Sequence, residues 1–415
     1  MKSGWSAQLA GCFLPMALAI LGTISLPAQD DPGSSLGKLV RGNEVLGRKL
    51  LLELQARQPD RNTVIAALPV TLMLAAIQSQ SDNEQTQQEL GAAFGWGGYP
   101  HISVASRMLV AAFEVPERQS NATASKNQRV NQRRLTVESA WISNSIAYQT
   151  ANAGRPPFSA RFINVATKDF GVKFLPVKTN PVAQKFADLK VNTPELNGHE
   201  NVLFRSTMHV RMIWEGNTFS MSVPHPGDFQ PEHGAKSKVE MQDSELRQYN
   251  YRKTDRFEAV ELPCYSGTMT VVLPIEGKSV HDVEAALLSE MDKGSVAYQR
   301  RVGVVTMPTF HLHAEQNVQA PLEEIGVKEI FQDLGTIASV PKSRVKEFKQ
   351  SVDLLVNREG IQGDSESVAG LVIGGLMSAP EPFYLKLNRP FVFLIRERET
   401  GALTYAGAVM DASQQ

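Results

Sequence analysis

Two short patterns in the sequence hold residue types that could do chemistry. Ser35 lies within GSSLG, which matches the G-x-S-x-G turn that presents a serine nucleophile after a core strand. An apolar N-terminal run precedes it in place of a core strand, which argues against a hydrolase. His311, His313 and Glu315 alternate along the chain and would share one strand face, as metal ligands could. Ordinary strand residues are the simpler interpretation, so neither a catalytic residue nor a metal site is predicted.

Residues 357–382 are either a flexible linker near the C-terminus or a strand without an assigned sheet. The stretch NREGIQGDSESVAGLVIGGLMSAPEP begins polar, becomes small and apolar, and contains no aromatic residue. Side chains of a strand alternate between two faces. In a strand that starts after Gly360, the inward side chains would be Ile361, Gly363, Ser365, Ser367 and Ala369, and the outward ones Gln362, Asp364, Glu366 and Val368. A buried carboxylate would cost several kcal/mol, so this segment is predicted to be able to enter a sheet.

Composition and charge exclude some partners. The chain has 415 residues, of which 42% are hydrophobic, and its 42 basic and 43 acidic residues leave a net charge of -1. No overall field exists to attract nucleic acid or an anionic membrane. Beyond the N-terminus, no stretch reaches the roughly 18 to 20 apolar residues of a membrane helix. No heptad series or repeat is present, and the protein is expected to be a monomer.

The N-terminus is typical of an export signal. Lys2 is followed by the apolar run CFLPMALAILGTISL, and Ala28 offers a cleavage site. Residues 1–28 are therefore predicted to be a signal peptide of a secreted or periplasmic, extracellular protein, followed by a short polar lead-in at 29–37. LAGC at 9–12 resembles a lipoprotein box but precedes the apolar run. Cleavage would leave Cys264 as the one cysteine, within an apolar stretch that predicts a buried, unreactive thiol.

The pattern of elements indicates an α+β fold. Helical periodicity dominates the first half and strand patterns the second, without regular βα alternation. The predicted helices lie near 39–54, 69–80, 83–96, 158–170, 181–189 and 318–331. The predicted strands lie at 62–68, 135–149, 202–214, 257–263, 268–274, 303–313, 352–356, 383–387, 391–396 and 403–409. No linker divides the chain, so one large domain is the simplest interpretation.

Three stretches resemble the serpin family. Residues 385–411, LKLNRPFVFLIRERETGALTYAGAVMD, are similar to the C-terminal hairpin of the serpins. Residues 307–331 resemble that family's Pro-x-Phe strand and the helix after it, and residues 62–95 resemble its early strand and helices. The resemblance implies a single serpin-like domain over residues 38–411, with three β-sheets, eight or nine helices and a short tail at 412–415.

The resemblance also implies a mechanism. Most serpins inhibit serine or cysteine proteases by suicide: the protease cleaves an exposed reactive loop, and the loop then enters the main sheet as a new strand. The loop corresponds to residues 357–382 of this sequence. The implied hinge residues are Glu359, Gly360, Ile361, Gln362, Gly363, Asp364, Ser365, Glu366 and Ser367. The implied scissile region comprises Ile373, Gly374, Gly375, Leu376, Met377 and Ser378.

The target protease is expected to prefer an apolar residue. No Lys or Arg lies between Arg358 and Lys386. A trypsin-like pocket, which holds a buried acid that binds a cation, is therefore disfavoured. Elastase-, chymotrypsin- or subtilisin-like serine proteases are the expected partners.

Two departures from the family pattern leave a second function open. Ile361 stands where the family has a small hydroxyl residue. The polar residues beneath the family's main sheet are replaced at Ala66–Pro69, at Ser206 and at Gln350. Sheet opening must then be controlled differently, and the alternative is a non-inhibitory carrier, chaperone or structural binding protein of the serpin fold.

A basic stretch is the one candidate cofactor site. Positive charge is densest at Arg118, Lys126, Arg129, Arg133 and Arg134. A solvated basic surface is the default interpretation. Some serpins bind sulfated polysaccharides near this region, so a glycosaminoglycan or another polyanion stays open as a cofactor, and no other cofactor is expected.

Overall fold

The part of the chain that the structure describes contains seven α-helices. The computed structural model of the chain describes residues 35–96, 102–113, 139–149, 157–177, 201–216, 218–219, 223–293, 297–339, 343–362 and 381–414. Its α-helices are α1 (Ser35–Arg57), α2 (Ala67–Gln80), α3 (Glu84–Phe94), α4 (Ile102–Phe113), α5 (Ala160–Phe170), α6 (Val280–Lys293) and α7 (Gln319–Glu324). The Ser159 hydroxyl caps α5 by accepting from Phe162 N, and Gly171, at φ 65°, ends it.

Helix α2 lies at the centre of the molecule. Every residue from Ala67 to Gln78 is buried, and Pro69 stands in the first turn, where its missing N–H costs nothing. Helix α1 buries one stripe against it, including Leu46 and Leu50. The buried face of each sheet and these helices share one continuous hydrophobic core.

One sheet has ten strands in the order β1-β16-β15-β9-β8-β7-β10-β6-β5, with β14 paired to β10. The strands are β1 (Thr63–Ala66), β5 (His225–Phe229), β6 (Ser237–Asp243), β7 (Arg247–Lys253), β8 (Phe257–Pro263), β9 (Gly267–Pro274), β10 (Gln299–Pro308), β14 (Phe383–Lys386), β15 (Phe391–Glu397) and β16 (Leu403–Val409). Strand β10 pairs with β7 in its first half and with β6 in its second half. It thereby joins two groups of strands into one ladder.

The other sheet has six strands in the order β11-β12-β13-β4-β2-β3. The strands are β2 (Ser139–Gln149), β3 (Val172–Val177), β4 (Asn201–Ile213), β11 (Phe310–Asn317), β12 (Arg344–Asn357) and β13 (Gly360–Gln362). Strands β4 and β12 run parallel to each other, whereas β13 is antiparallel to both.

Comparison with the sequence predictions confirms the α+β class and corrects several details. The described residues form two hydrogen-bonded sheets, where the resemblance implied three, because β10 pairs with both β7 and β6. They contain seven α-helices, and the predicted helix at 181–189 lies outside them. The helix predicted over 318–331 breaks at Gly326, whose φ is 100°, and a 3-10 turn follows at Glu329–Phe331. No helix in the described part of the chain is long and apolar enough to cross a membrane.

Candidate functional site

The six-stranded sheet forks between β12 and β4. From Arg344 to Gln350, strand β12 pairs directly with β4, and the last pair joins Gln350 to Ser206. Towards their C-terminal ends the two strands are separated by β13, which pairs with Val356 on one side and with Met212 on the other. The first residues after the turn at 358–359 therefore already lie inside the sheet.

Hydrogen bonds hold this turn against the end of β4. Glu359 N donates to Asn357 Oδ1 at 2.9 Å, and Trp214 N donates to Glu359 O at 3.4 Å. The indole of Trp214 donates from Nε1 to Asn357 O at 2.8 Å. Trp214 is buried and packs against Phe219, so a rigid side chain fixes the point of entry.

Two of the predicted hinge residues fit this position closely. Gly360 has a φ of 153°, and a Cβ there would overlap Met212 O and lie 3.0 Å from Ile213 Cα. No residue with a side chain could approach β4 so closely. Ile361 is fully buried between Val356 and Met212, which are themselves buried. The bulky side chain at Ile361 is thus accommodated on the inward face of the sheet.

The remaining residues predicted for the loop lie outside the described residues. They comprise the hinge residues Gly363, Asp364, Ser365, Glu366 and Ser367 and the scissile candidates Ile373, Gly374, Gly375, Leu376, Met377 and Ser378. The predicted polyanion residues Lys126, Arg129, Arg133 and Arg134 also lie outside them, as does the predicted signal peptide. Their roles stay predictions.

Where the direct pairing of β12 with β4 ends, the side chain of Gln350 takes part in a hydrogen-bonded network. Its Nε2 donates to Ala66 O at 2.7 Å, and its Oε1 accepts from Ala66 N at 3.0 Å. Gln316, its register partner on β11, donates to Val64 O at 2.9 Å. In the described part of the chain β1 is an edge strand, and these side chains satisfy backbone groups on its open edge.

The same level of the sheet holds two further buried polar side chains. Asn144 on β2 lies opposite Ser206 on β4, and their exposed fractions are 1% and 0%. Within the described residues, neither amide atom of Asn144 nor the Ser206 hydroxyl has a hydrogen-bond partner. Sequence reasoning missed Asn144 and Gln316. Asn144 could have been found, because it is a polar residue at the inward position between Ile142 and Ile146 of a predicted strand.

The other residues singled out for chemistry have structural roles. His311 Nε2 lies 2.8 Å from Asp353 Oδ1, and His313 Nδ1 lies 3.4 Å from Asp353 Oδ2. No group of His, Cys, Asp and Glu in the described ranges could hold a metal ion. Ser35 is the first residue of α1, and Cys264 is fully buried.

An ion-pair cluster anchors α1 to the ten-stranded sheet. Glu44 accepts from Arg396 Nη2 at 2.6 Å and from Arg48 Nε at 2.7 Å. Burial alone would raise the pKa of Glu44, but the charges of Arg396 and Arg48 outweigh it and hold this pKa at about 2. On α6, Glu284 is 3% exposed and neither carboxyl oxygen has a partner within the described residues. Burial raises the pKa of Glu284 to about 8.

Comparison with known proteins identifies the family. The family model described as Serpin (serine protease inhibitor) matches residues 41–412, and this chain belongs to the serpin family. Iripin-2 of Ixodes ricinus is 25% identical over 395 residues, which span 90% of this chain and 93% of the relative. By the description of its model, the family is one of serine protease inhibitors.

Solved structures agree on the fold. Serpin48 of the insect Tenebrio molitor superimposes with a TM-score of 0.71 at 16% identity, covering 90% of this chain and 98% of that one. Native protease nexin-1 with heparin superimposes with a TM-score of 0.70 at 15% identity, covering 91% and 100%. These likenesses show the serpin fold over most of the chain.

Proposed function

We propose that this protein inhibits a serine protease of apolar preference by cleavage of its loop and insertion of the loop between β4 and β12. The observation that carries the proposal is the position of β13. Gly360–Gln362 already pair with both neighbours at the C-terminal ends of these strands. Further entry continues a strand that has begun and requires no new site.

The direction of side chains supports entry of the rest of the segment. Ile361 points into the core, and strict alternation then assigns inward positions to Gly363, Ser365, Ser367 and Ala369. Asp364 and Glu366 fall on the outward face. A slip by one residue would bury both carboxylates, so the register of entry is fixed.

The proposed target class follows from the charge of the loop. Residues 359–385 contain no Lys or Arg. Elastase-, chymotrypsin- and subtilisin-like proteases accept such a segment, whereas trypsin requires a cation in its specificity pocket.

The test is incubation with elastase, chymotrypsin and subtilisin, with trypsin as the control protease. We expect a covalent complex on a denaturing gel, and a large rise in Tm of the cleaved protein. Ala369→Arg places a charge on the inward face and should convert the inhibitor into a substrate, whereas Val368→Arg places the same charge on the outward face and should preserve inhibition. Cleavage without complex or stabilisation in the parent protein would instead favour a non-inhibitory carrier, chaperone or structural role.

We also propose that the protein is exported as a monomer and that Lys126, Arg129, Arg133 and Arg134 bind a sulfated polysaccharide. The density of positive charge supports the second point, and a related structure, protease nexin-1, contains heparin. Replacing the four residues by Ser should lower the salt concentration that elutes the protein from immobilised heparin. Unchanged elution would contradict the assignment.

A further inference from the structure

The row Asn144, Ser206 and Gln350 crosses three strands at the closed end of the fork. Asn144 is the register partner of Ser206, and Ser206 is the register partner of Gln350. Gln350 uses its amide on Ala66. The other two side chains are buried, and within the described residues their polar atoms are unpaired. Native proteins seldom leave such groups unpaired, because burial removes their hydrogen bonds to water without replacement.

The two ladders of β13 show which residue of an entering strand would reach this row. Ile361 pairs with Val356 on β12 and with Met212 on β4. Gln350 lies six residues before Val356, and Ser206 lies six residues before Met212. In antiparallel pairing, both strands therefore assign the same partner, the residue six positions after Ile361. No bulge interrupts the ladders that β12 and β4 form with their outer neighbours over this stretch.

That residue is Ser367, and strand alternation from Ile361 assigns its side chain to the inward face. We propose that Asn144 and Ser206 form a polar socket that receives the hydroxyl of Ser367 when residues 363–373 enter the sheet. The inference rests on the proposed function and adds to it the residues that recognise the entering strand. Ser206 would lie between Ser367 on the entering strand and Asn144 on β2. A serine hydroxyl both donates and accepts, so Ser206 can bond to Ser367 on one side and to the amide of Asn144 on the other.

A second serine of the segment supplies the internal control. By the same register, Ser365 is level with Met208 on β4 and Val352 on β12, and both are buried and apolar. Neither register partner offers it a polar side chain, and the Tyr405 hydroxyl at this level already donates to Met208 O at 2.9 Å. The two serines have the same chemistry and the same parity, so only the socket distinguishes them.

The socket also affects the stability of the intact protein, before the loop enters the sheet. As long as no strand reaches Asn144 and Ser206, their unpaired atoms destabilise the intact form relative to the inserted one. Ser206→Ala should therefore raise the Tm of the intact protein and lower that of the cleaved protein. Most truncations of buried side chains would lower both.

The test uses synthetic peptides of residues 361–373 and the full-length protein, so that it does not depend on a protease. Binding of a fluorescently labelled peptide is followed by native gel and by the rise in Tm. We expect Ser367→Ala in the peptide to weaken binding about fivefold, the loss of roughly one net hydrogen bond, and Ser365→Ala to leave binding unchanged. With the Ser206→Ala protein, the parent and Ser367→Ala peptides should bind alike.

The outcomes separate the socket from the proposed function. If the peptide enters but the two serine substitutions have equal effects, or the Ser367→Ala effect persists in the Ser206→Ala protein, the socket is wrong and insertion stands. If no peptide binds and cleavage gives no rise in Tm, insertion itself is wrong, and the socket with it.

Discussion

The side chain of Gln350 binds both backbone groups of Ala66, accepting from its N at 3.0 Å and donating to its O at 2.7 Å. Ala66 ends β1 and directly precedes α2, for which no side chain provides an N-terminal cap. One amide thus joins strand β12 of the six-stranded sheet to the central helix and to the edge of the ten-stranded sheet.

Replacing Gln350 by Met should strongly destabilise the intact protein. Met keeps most of the volume but leaves the N–H and C=O of Ala66 buried without a partner, at about 1–3 kcal/mol for each group. We expect the free energy of unfolding in urea to fall by about 2–4 kcal/mol. Gln316→Met is the control: this side chain is partly exposed and makes one bond, to Val64 O. Equal losses of unfolding free energy in the two variants would show that the two hydrogen bonds of Gln350 stabilise the protein no more than the single bond of Gln316.

Gly360→Ala should expel β13 from the sheet. A Cβ at this position overlaps the carbonyl of Met212, which the ladder of β4 cannot move aside. We expect faster hydrogen exchange at the amides of residues 211–213 and 355–357. Gly234→Ala is the matched control, since Gly234 also has a positive φ, 111°, but a Cβ there would meet nothing within 4 Å. The prediction fails if exchange at the fork stays slow in Gly360→Ala.

Acid should weaken the protein through Glu44. The pKa of this carboxyl is about 2 in the folded chain and about 4.5 ordinarily. Its ionised form therefore stabilises the fold above about pH 4.5, and this contribution is lost as the pH falls towards 2. A difference of 2.5 units corresponds to on the order of 3 kcal/mol. Glu44→Gln should show a flatter dependence of unfolding free energy between pH 5 and 2, and a parallel curve would contradict this.

Glu284 should lower the stability of the protein as the pH rises, whereas Glu44 lowers it as the pH falls. Burial raises the pKa of Glu284 from 4.5 to about 8, so the folded protein holds the neutral acid. Its contribution is complete below about pH 4.5, declines as the pH rises, and is level above about pH 8. Glu284→Gln has the same shape and no proton to lose, so stability measured from pH 5 to 8 should decline less than in the parent. An unchanged slope would mean that Glu284 is solvated in solution.

Local sequence signals predicted much of the fold. The strands of the β15–β16 hairpin and helix α5 were found because strand alternation and helical periodicity can be read within each element. Helices α4 and α6 were passed over. The joining of strands through β10 could not be foreseen, since it depends on partners far apart in the sequence.

In the candidate site too, some features follow from local sequence patterns and others depend on residues far apart in the sequence. The inward orientation of Ile361 follows from a period of two, which any strand obeys. The insertion of Gly360–Gln362 depends instead on where β4 and β12 part. The parity of its own strand marks Asn144 as an inward polar residue, but its position opposite Ser206, like that of Gln316 opposite Gln350, depends on strands far apart in the sequence.

The opposed directions of the strands at the fork have a kinetic consequence. β4 and β12 are parallel to each other, and β13 is antiparallel to both. Each further residue that enters exchanges one slanted, parallel row of hydrogen bonds for two straight, antiparallel rows. Withdrawal of the strand would break two rows of hydrogen bonds and re-form only one. Insertion is therefore expected to proceed in one direction only, and a cleaved molecule is not expected to return to its starting form.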